Sequence, residues 1–84
     1  MTLTVSFLGK QIELNEVAGD FRVEFSDGRW LRITSLGLMW YTTFLLSPGS
    51  RLEAFGDSAQ AATDAVAQLI KKHLQELEAY FPAV

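Results

Sequence analysis

The chain has 84 residues, a formal net charge of −3 and no cysteine. This length predicts one small domain, and the absence of cysteine excludes disulfides and thiolate chemistry. Its seven Lys and Arg residues stand against ten Asp and Glu residues, which argues against direct nucleic-acid binding because phosphate neutralisation needs clustered basic side chains. Since 49% of the residues are apolar, we expect a folded domain rather than a disordered segment.

The first residues show no export signal. Residues 1–6 lack the basic start and the long apolar block of a signal peptide,. No later segment is apolar for long enough to predict a transmembrane helix. We therefore expect a cytoplasmic protein that makes no contact with a membrane.

Residues 2–8 and 11–17 predict a first β-hairpin, because apolar and polar residues alternate in strand 2–8,. The pair Gly9-Lys10 between them fits a two-residue type II′ turn. This register would bring Leu3 opposite Glu16, so we expect the pairing to break or bulge near Asn15 and Glu16. The apolar pairs that it predicts are Phe7 with Ile12 and Val5 with Leu14.

Residues 20–26 and 29–35 predict a second hairpin. A two-residue turn at Asp27-Gly28 would set Val23 opposite Arg32, which contradicts the alternation on the returning strand,. A three-residue loop, Ser26-Asp27-Gly28 with a left-handed Gly28, resolves the conflict. The pairs that it predicts are Val23 with Leu31 and Phe21 with Ile33.

The same register places Trp30 on the opposite face, beside Glu24, and sets Arg22 directly across from Arg32,. Trp and Arg are frequent at the hot spots of protein interfaces, which favours a partner-binding surface. The alternative is a solvated face on which long side chains lie over the indole. The residue pattern leaves both interpretations open.

Leu36 to Leu46 is the densest apolar run and contains no charge. After a turn at residues 34–37, its aromatic and β-branched content predicts a strand over residues 38–46 in the middle of the sheet. Both of its faces are apolar, so each face needs cover. We expect two groups, with Leu38, Trp40 and Phe44 in the main core and Met39, Tyr41 and Leu45 on the face of Trp30.

Residues 51–55 predict a last short strand, and the chain then enters a helix over about residues 58–80. Asp57 is the expected N-cap, with Gln60 three residues later at the capping-box position,. Pro82 would stop the helix. Its predicted apolar stripe contains Ala59, Ala62, Val66, Leu69, Ile70, Leu77 and Tyr80,.

No motif predicts catalysis. His73 is the single histidine, the chain has no cysteine to join it in a metal site, and Glu76 and Glu78 are expected to point elsewhere,. Its place in the helix stripe predicts a buried neutral imidazole bonded to a backbone or hydroxyl group. Phosphate-binding glycine loops and assignable acid and base carboxylates are also missing. We expect no enzyme activity, no cofactor and no metal.

These elements predict an α+β fold, an antiparallel β-meander of four to six strands with one C-terminal helix across one face. The helix covers one side of the sheet, and an uncovered apolar patch usually marks an interface. We therefore predict a non-catalytic protein-binding domain, with pairing of two copies through the exposed sheet face as the alternative. The candidate contact residues are Arg22, Glu24, Trp30, Arg32, Met39, Tyr41 and Leu45.

Two resemblances bear on function. The segment Leu52-Glu53-Ala54-Phe55-Gly56-Asp57-Ser58, followed by Ala62 and Val66, is similar to the strand-to-helix entry of HicB-like antitoxins, although the acidic, glycine-marked strand that precedes it in that family is missing. A short acidic chain with a strand meander and a final helix resembles small phage-encoded anti-defence proteins, including anti-CRISPR proteins. The second resemblance implies a protein partner, a nucleoprotein complex that is blocked sterically or by acidic mimicry of nucleic acid.

Overall fold

A computed structural model describes the backbone of residues 1–80 and the side chains of residues 1–73. Within these residues six strands form one antiparallel sheet whose order follows the sequence, and one helix packs on it. The predicted α+β meander with a C-terminal helix is confirmed. Its elements are β1 (Thr2–Phe7), β2 (Lys10–Val17), β3 (Asp20–Glu24), β4 (Trp30–Ser35), β5 (Trp40–Ser47), β6 (Ser50–Gly56) and α1 (Ala59–Tyr80).

The sheet is strongly curled. The rings of Phe7 in β1 and Phe44 in β5 are 5.4 Å apart between centroids, although β2, β3 and β4 lie between those strands. At about 4.8 Å per strand, a flat sheet would separate β1 from β5 by about 19 Å. The sheet therefore curves strongly and has a concave side. The helix α1 lies on that concave side, against β1, β4, β5 and β6.

The core fills this concave side. It is built from alternate residues of the strands and from one face of α1, as period-two and helical patterns require. Each large apolar side chain buried there stabilises the fold by about 1.5–3 kcal/mol. The buried apolar residues are Val5, Phe7, Leu14, Leu31, Ile33, Phe44, Ala62, Val66, Ala67 and Ile70.

The first hairpin turns one residue earlier than predicted. Leu8 and Gly9 form the two-residue turn, with φ angles of 52° and 81°, and positive φ at both positions is typical of type I′. Val5 consequently pairs with Ile12, and Leu3 pairs with Leu14. The predicted pairs are therefore wrong by two residues, but an even shift keeps every residue on its predicted face.

The break predicted near Asn15 and Glu16 is also wrong. With the turn at Leu8 and Gly9, the ladder runs regularly to Thr2 opposite Asn15, and the Glu16 amide donates to the Met1 carbonyl at 3.1 Å. The conflict that predicted a bulge disappears, because Leu3 faces Leu14 instead of Glu16.

The second hairpin is confirmed. Val23 lies opposite Leu31 and Phe21 lies opposite Ile33. The loop closes with the Phe25 amide donating to the Arg29 carbonyl at 2.8 Å. Gly28 has a φ of 88°, which is the left-handed conformation that glycine adopts without steric penalty.

The prediction of a strand in the middle of the sheet is wrong, because β5 is the fifth of the six strands and lies next to the edge strand β6. It also starts two residues later than predicted. Ser35 pairs with Trp40, so residues 36–39 form a loop in which the Leu36 amide donates to the Met39 carbonyl at 2.7 Å. The prediction that Leu38 lies in the core is wrong, because Leu38 is 95% exposed in this loop. Phe44 is buried as predicted, and Trp40 packs against the core.

The helix is capped by Ser58 instead of Asp57. Ser58 Oγ accepts a hydrogen bond from the Ala61 amide at 3.0 Å, which is the third helical position that an N-cap side chain serves. The Ser58 carbonyl accepts from the Ala62 amide at 3.0 Å. The predicted cap is therefore one residue too early, and the capping box with Gln60 does not form.

The buried face of α1 differs from the predicted stripe at three residues. Leu69 is 38% exposed, whereas Thr63 and Ala67 are buried. Thr63 donates its hydroxyl proton to the Ala59 carbonyl at 2.8 Å, so Thr42 must be the donor in the 3.3 Å contact between the two threonine hydroxyls,. Leu77, Tyr80 and Pro82 lie outside the described side chains.

Over the backbone that the structure describes, no helix is both long enough and apolar enough to cross a bilayer.

Candidate protein-binding face

We define the outer face as the surface of the sheet that points away from α1. Its residues are aligned across strands by the registers of the five antiparallel pairs. Asn15, Arg22, Glu24 and Glu53 are exposed on it, so no other element of the described chain lies over these positions. One polar row crosses all six strands through Thr2, Asn15, Arg22, Arg32, Thr43 and Glu53.

Trp30 and Arg32 form the best-defined contact on this face. The Arg32 guanidinium carbon lies 5.6 Å from the centroid of the Trp30 ring, which is a cation–π distance. Both side chains are half-buried, and Glu24 lies directly opposite Trp30. Such a contact stabilises by about 0.5–1 kcal/mol at an exposed site, so it favours the stacked orientation of the two side chains over others.

Arg22 and Arg32 lie directly opposite one another, as the sequence predicts. Their charges are offset by different groups. The Arg22 Nη2 atom lies 3.6 Å from Asp20 Oδ2, while the Arg32 guanidinium stacks on the Trp30 ring. Asp20 also accepts a 3.0 Å hydrogen bond from the Thr34 hydroxyl. The like-charge pair is thus tolerated because each guanidinium has its own neighbour.

These side chains surround a shallow depression of about 470 Å³. Its volume is within the range of small-molecule pockets, but such pockets enclose most of their ligand. An open depression on a sheet surface is better suited to a side chain that projects from another protein. The lining residues are Asn15, Val17, Arg22, Val23, Glu24, Trp30 and Arg32.

The middle of the outer face carries two buried polar atoms without hydrogen-bond partners among the described residues, Arg32 Nε and Thr43 Oγ1. Thr43 is fully buried and lies opposite Arg32 on the next strand. A buried donor without a partner costs about 1–3 kcal/mol. The centre of the face is therefore covered by its own long side chains, and it is polar rather than apolar.

The other candidate residues lie on both sides of this centre. Leu45 follows Phe44, which pairs with Leu31, so Leu45 is the neighbour of Trp30 across the strands. Tyr41 lies four residues further back along β5, about 13 Å away. Its ring packs against Phe55 with the centroids 4.8 Å apart.

Met39 lies in the loop before β5 and is exposed, instead of lying on the strand. The structure therefore brings Arg22, Glu24, Trp30, Arg32 and Leu45 together, and it places Tyr41 and Met39 at the far end of β5.

Phe55 is missing from the residues predicted for this face, although it is 57% exposed there. The signal for it is the alternation of Arg51, Glu53 and Phe55 along β6, which places all three on one side of the strand. The exposed loop residues Leu36 and Leu38 are also missing from the prediction. No polar residue alternates with these leucines in the sequence, so the pattern does not indicate that they are exposed.

His73 is half-buried near the end of the described side chains and borders a second depression with Phe44, Leu46 and Ile70. In the described part of the chain, His, Asp and Glu residues form no group of three or more that could hold a metal ion. The prediction of a fully buried imidazole is wrong, because His73 is half-buried.

No protein-family model, curated protein or solved structure matches the chain. The interpretation of the outer face depends on its own residues.

Proposed function

We propose that this chain is a non-catalytic protein-binding domain and that its outer face contacts the partner through Trp30 and Arg32. The observation that carries the proposal is the 5.6 Å stack of the Arg32 guanidinium on the Trp30 ring. Trp and Arg, together with Tyr, are enriched among the hot-spot residues that contribute most of the binding energy of protein interfaces. Side chains that are already fixed before binding lose less conformational entropy when the partner arrives.

The charges around Trp30 favour a protein partner. Arg22 and Arg32 are accompanied by Asp20 and Glu24, so the face presents both signs of charge beside an apolar ring. A nucleic-acid surface would need a basic cluster. A partner with mixed charges and a projecting side chain matches this face.

The finer form of the proposal is an inhibitor that works in the cytoplasm and occludes a larger host complex, such as a nucleoprotein complex, as the resemblance to anti-CRISPR proteins implies. What supports it is the small size of the domain and the open, mixed-charge face. The alternative is a homodimeric, antitoxin-like domain in which two outer faces pair.

The proposal is tested by substituting Trp30 with Ala. The immobilised wild-type chain would be used to capture proteins from host-cell extract, and the captured protein would then be purified and titrated against the variant. We expect Trp30→Ala to weaken its binding by at least about 30-fold, because hot-spot side chains contribute about 2 kcal/mol or more. Thermal unfolding should change little, since Trp30 lies outside the core.

Leu8→Asn is the matched control for that titration. It removes an exposed apolar side chain outside the strands, and Asn tolerates the left-handed conformation of the turn. Full affinity of Trp30→Ala, or equal losses in both variants, would contradict a binding role for Trp30. If Trp30→Ala impairs self-association instead, the pairing of two outer faces is supported.

A further inference from the structure

The two edges of the sheet differ in whether the rest of the chain forms hydrogen bonds with their backbone. β1 and β6 are the edge strands, and an unpaired edge is a template for another strand. At β1 the Ser6 amide donates to Gln60 Oε1 at 2.9 Å, and Gln60 Nε2 donates to the Ser6 carbonyl at 2.8 Å. The Gln60 amide thus occupies both backbone groups of Ser6, as an added strand would.

β6 has no comparable protection. In the described chain, its backbone forms hydrogen bonds with β5, and no described side chain or loop forms a hydrogen bond with the backbone of its other edge. The strand is seven residues long and contains no proline. A proline would discourage pairing, because it has no backbone N–H to donate to an added strand. Its outward side chains are Arg51, Glu53 and Phe55. The edge is therefore open to pairing.

Two apolar residues on the flank of α1 next to this edge are incompletely buried. Gln60 marks the flank that faces β1, and at 100° per residue Ala65 and Leu69 point away from it. Ala65 is half-buried and Leu69 is exposed. Leu52 and Ala54 of β6 are likewise half-buried. A strand added beside β6 would cover apolar surface as well as supply hydrogen bonds.

We propose that a second copy of this chain pairs antiparallel along β6. The charges of the strand are self-complementary about Leu52. With Leu52 opposite itself, Arg51 faces the partner's Glu53 and Glu53 faces the partner's Arg51. Registers centred on Arg51 or Glu53 would instead place like charges directly opposite, which destabilises a strand pair. The charge pattern thus favours the register centred on Leu52, which forms two opposite-charge pairs, over the registers centred on Arg51 and Glu53.

This arrangement joins the two sheets into one and places both helices on the same face. A symmetric pair of this kind is a closed C2 dimer. Trp30 lies on β4, two strands away from β6, so both outer faces remain free. Edge pairing is therefore independent of the proposed binding face and would present two copies of it to a partner.

The test measures the dimer dissociation constant by sedimentation equilibrium. We expect the wild-type chain to form a species of twice its 9.4 kDa mass. Arg51→Glu sets two Glu–Glu contacts across the dyad, so we expect its dissociation constant to rise at least about tenfold. The charge-swapped variant R51E/E53R restores both ion pairs and should regain the wild-type value.

Lys10→Glu is the matched control, because it changes the net charge equally at an exposed residue of β2. Far-UV circular dichroism checks the fold of each variant. If Arg51→Glu does not fold, Glu53→Arg sets two Arg–Arg contacts and gives the same test. A wild-type monomer at the highest soluble concentration, or an Arg51→Glu dimer as tight as wild type, would overturn the proposal. Loss of the dimer in Trp30→Ala would indicate face pairing instead.

Discussion

The backbone of Gly56 lies against the start of the helix. A Cβ atom at this position would lie against the Ala62 amide nitrogen, 2.8 Å from the Ala61 carbonyl carbon and 2.9 Å from Ala62 Cα. These are backbone atoms of the first helical turn, so they cannot rotate away as a flexible side chain could. The absence of a side chain at Gly56 is therefore what allows the strand and the helix to meet after a two-residue connection.

We expect Gly56→Ala to lower the free energy of unfolding by about 1–3 kcal/mol, the usual effect of overpacking. Urea denaturation measures this as a lower midpoint. Gly49→Asn is the control, because Gly49 has a φ of +81° with nothing within 4 Å of an added Cβ and Asn tolerates that conformation. Equal midpoints for Gly56→Ala and wild type would show that the helix can move aside.

Single residues differ in how well the sequence predicts them. Gly28 is predicted as left-handed because only one loop length gives apolar pairs on both strands, and its φ of 88° confirms this. Leu8 also has a positive φ of 52°, but a leucine there is unusual, and Gly9-Lys10 looks like the better turn. Alternation predicts the face of Trp30 and Arg32 correctly, but not the stack between them.

At the scale of the element, the start of α1 depends on one hydroxyl group. Ser58 Oγ accepts the Ala61 amide, whereas Asp57 makes no hydrogen bond within the described residues. Asp and Ser are about equally favoured at the N-cap position of helices. Only the path of the chain after Gly56 determines which of the two residues occupies that position. That path is a tertiary feature, so the sequence predicts a cap but not its position.

We expect Ser58→Ala to lower the free energy of unfolding by about 1 kcal/mol, because one amide of the first turn loses its acceptor. Asp57→Ala is the matched control, and its effect should be within about 0.5 kcal/mol of zero. Both values come from urea denaturation of the purified variants. A larger loss in Asp57→Ala than in Ser58→Ala would mean that Asp57 is the true cap.

β5 shows why element boundaries are harder to predict than faces. Trp40, Phe44 and Tyr41 lie on the sides that alternation predicts. The preceding loop, however, is made of apolar residues like those of the strand. A turn is usually marked by Gly, Pro, Asn, Asp or Ser, and Gly37 is the one such residue among residues 36–39. The strand is therefore predicted two residues too early.

At the scale of the whole molecule, the strand order follows from the short connections, since consecutive strands usually pair. The curl does not follow from any pair of strands. It depends on contacts between distant strands, above all those of Phe44 in β5, whose ring lies 5.4 Å from Phe7 in β1 and 6.4 Å from Phe25. Alternation shows that these residues share a face, but not that the face closes upon itself.

The curl also determines the shape of the proposed interface. Because the concave side holds α1 and the core, the outer face is convex. Trp30 and Arg32 lie on this convex side, where both are half-buried and line a shallow depression. A flat sheet with the same sequence pattern would present them differently, so the binding proposal depends on the packing of the concave side.

Phe44→Ala tests this dependence, because Phe44 joins β1 and the loop after β3 to β5. Removing a buried Phe side chain costs about 3–5 kcal/mol, while a domain of this size has about 4–13 kcal/mol of stability in total. We therefore expect a large fall in the urea midpoint, and partial unfolding at 37 °C if the domain lies in the lower part of that range.

Phe55→Ala is the matched control for this prediction, because it removes the same side chain from the exposed face. Its effect on the urea midpoint should be small, since few of its contacts lie in the core. Similar losses in both variants would mean that the outer face contributes to stability as much as the concave core does. Tyr41 and Phe55 would then have a structural role, and the binding surface would be confined to the Trp30 end of the face.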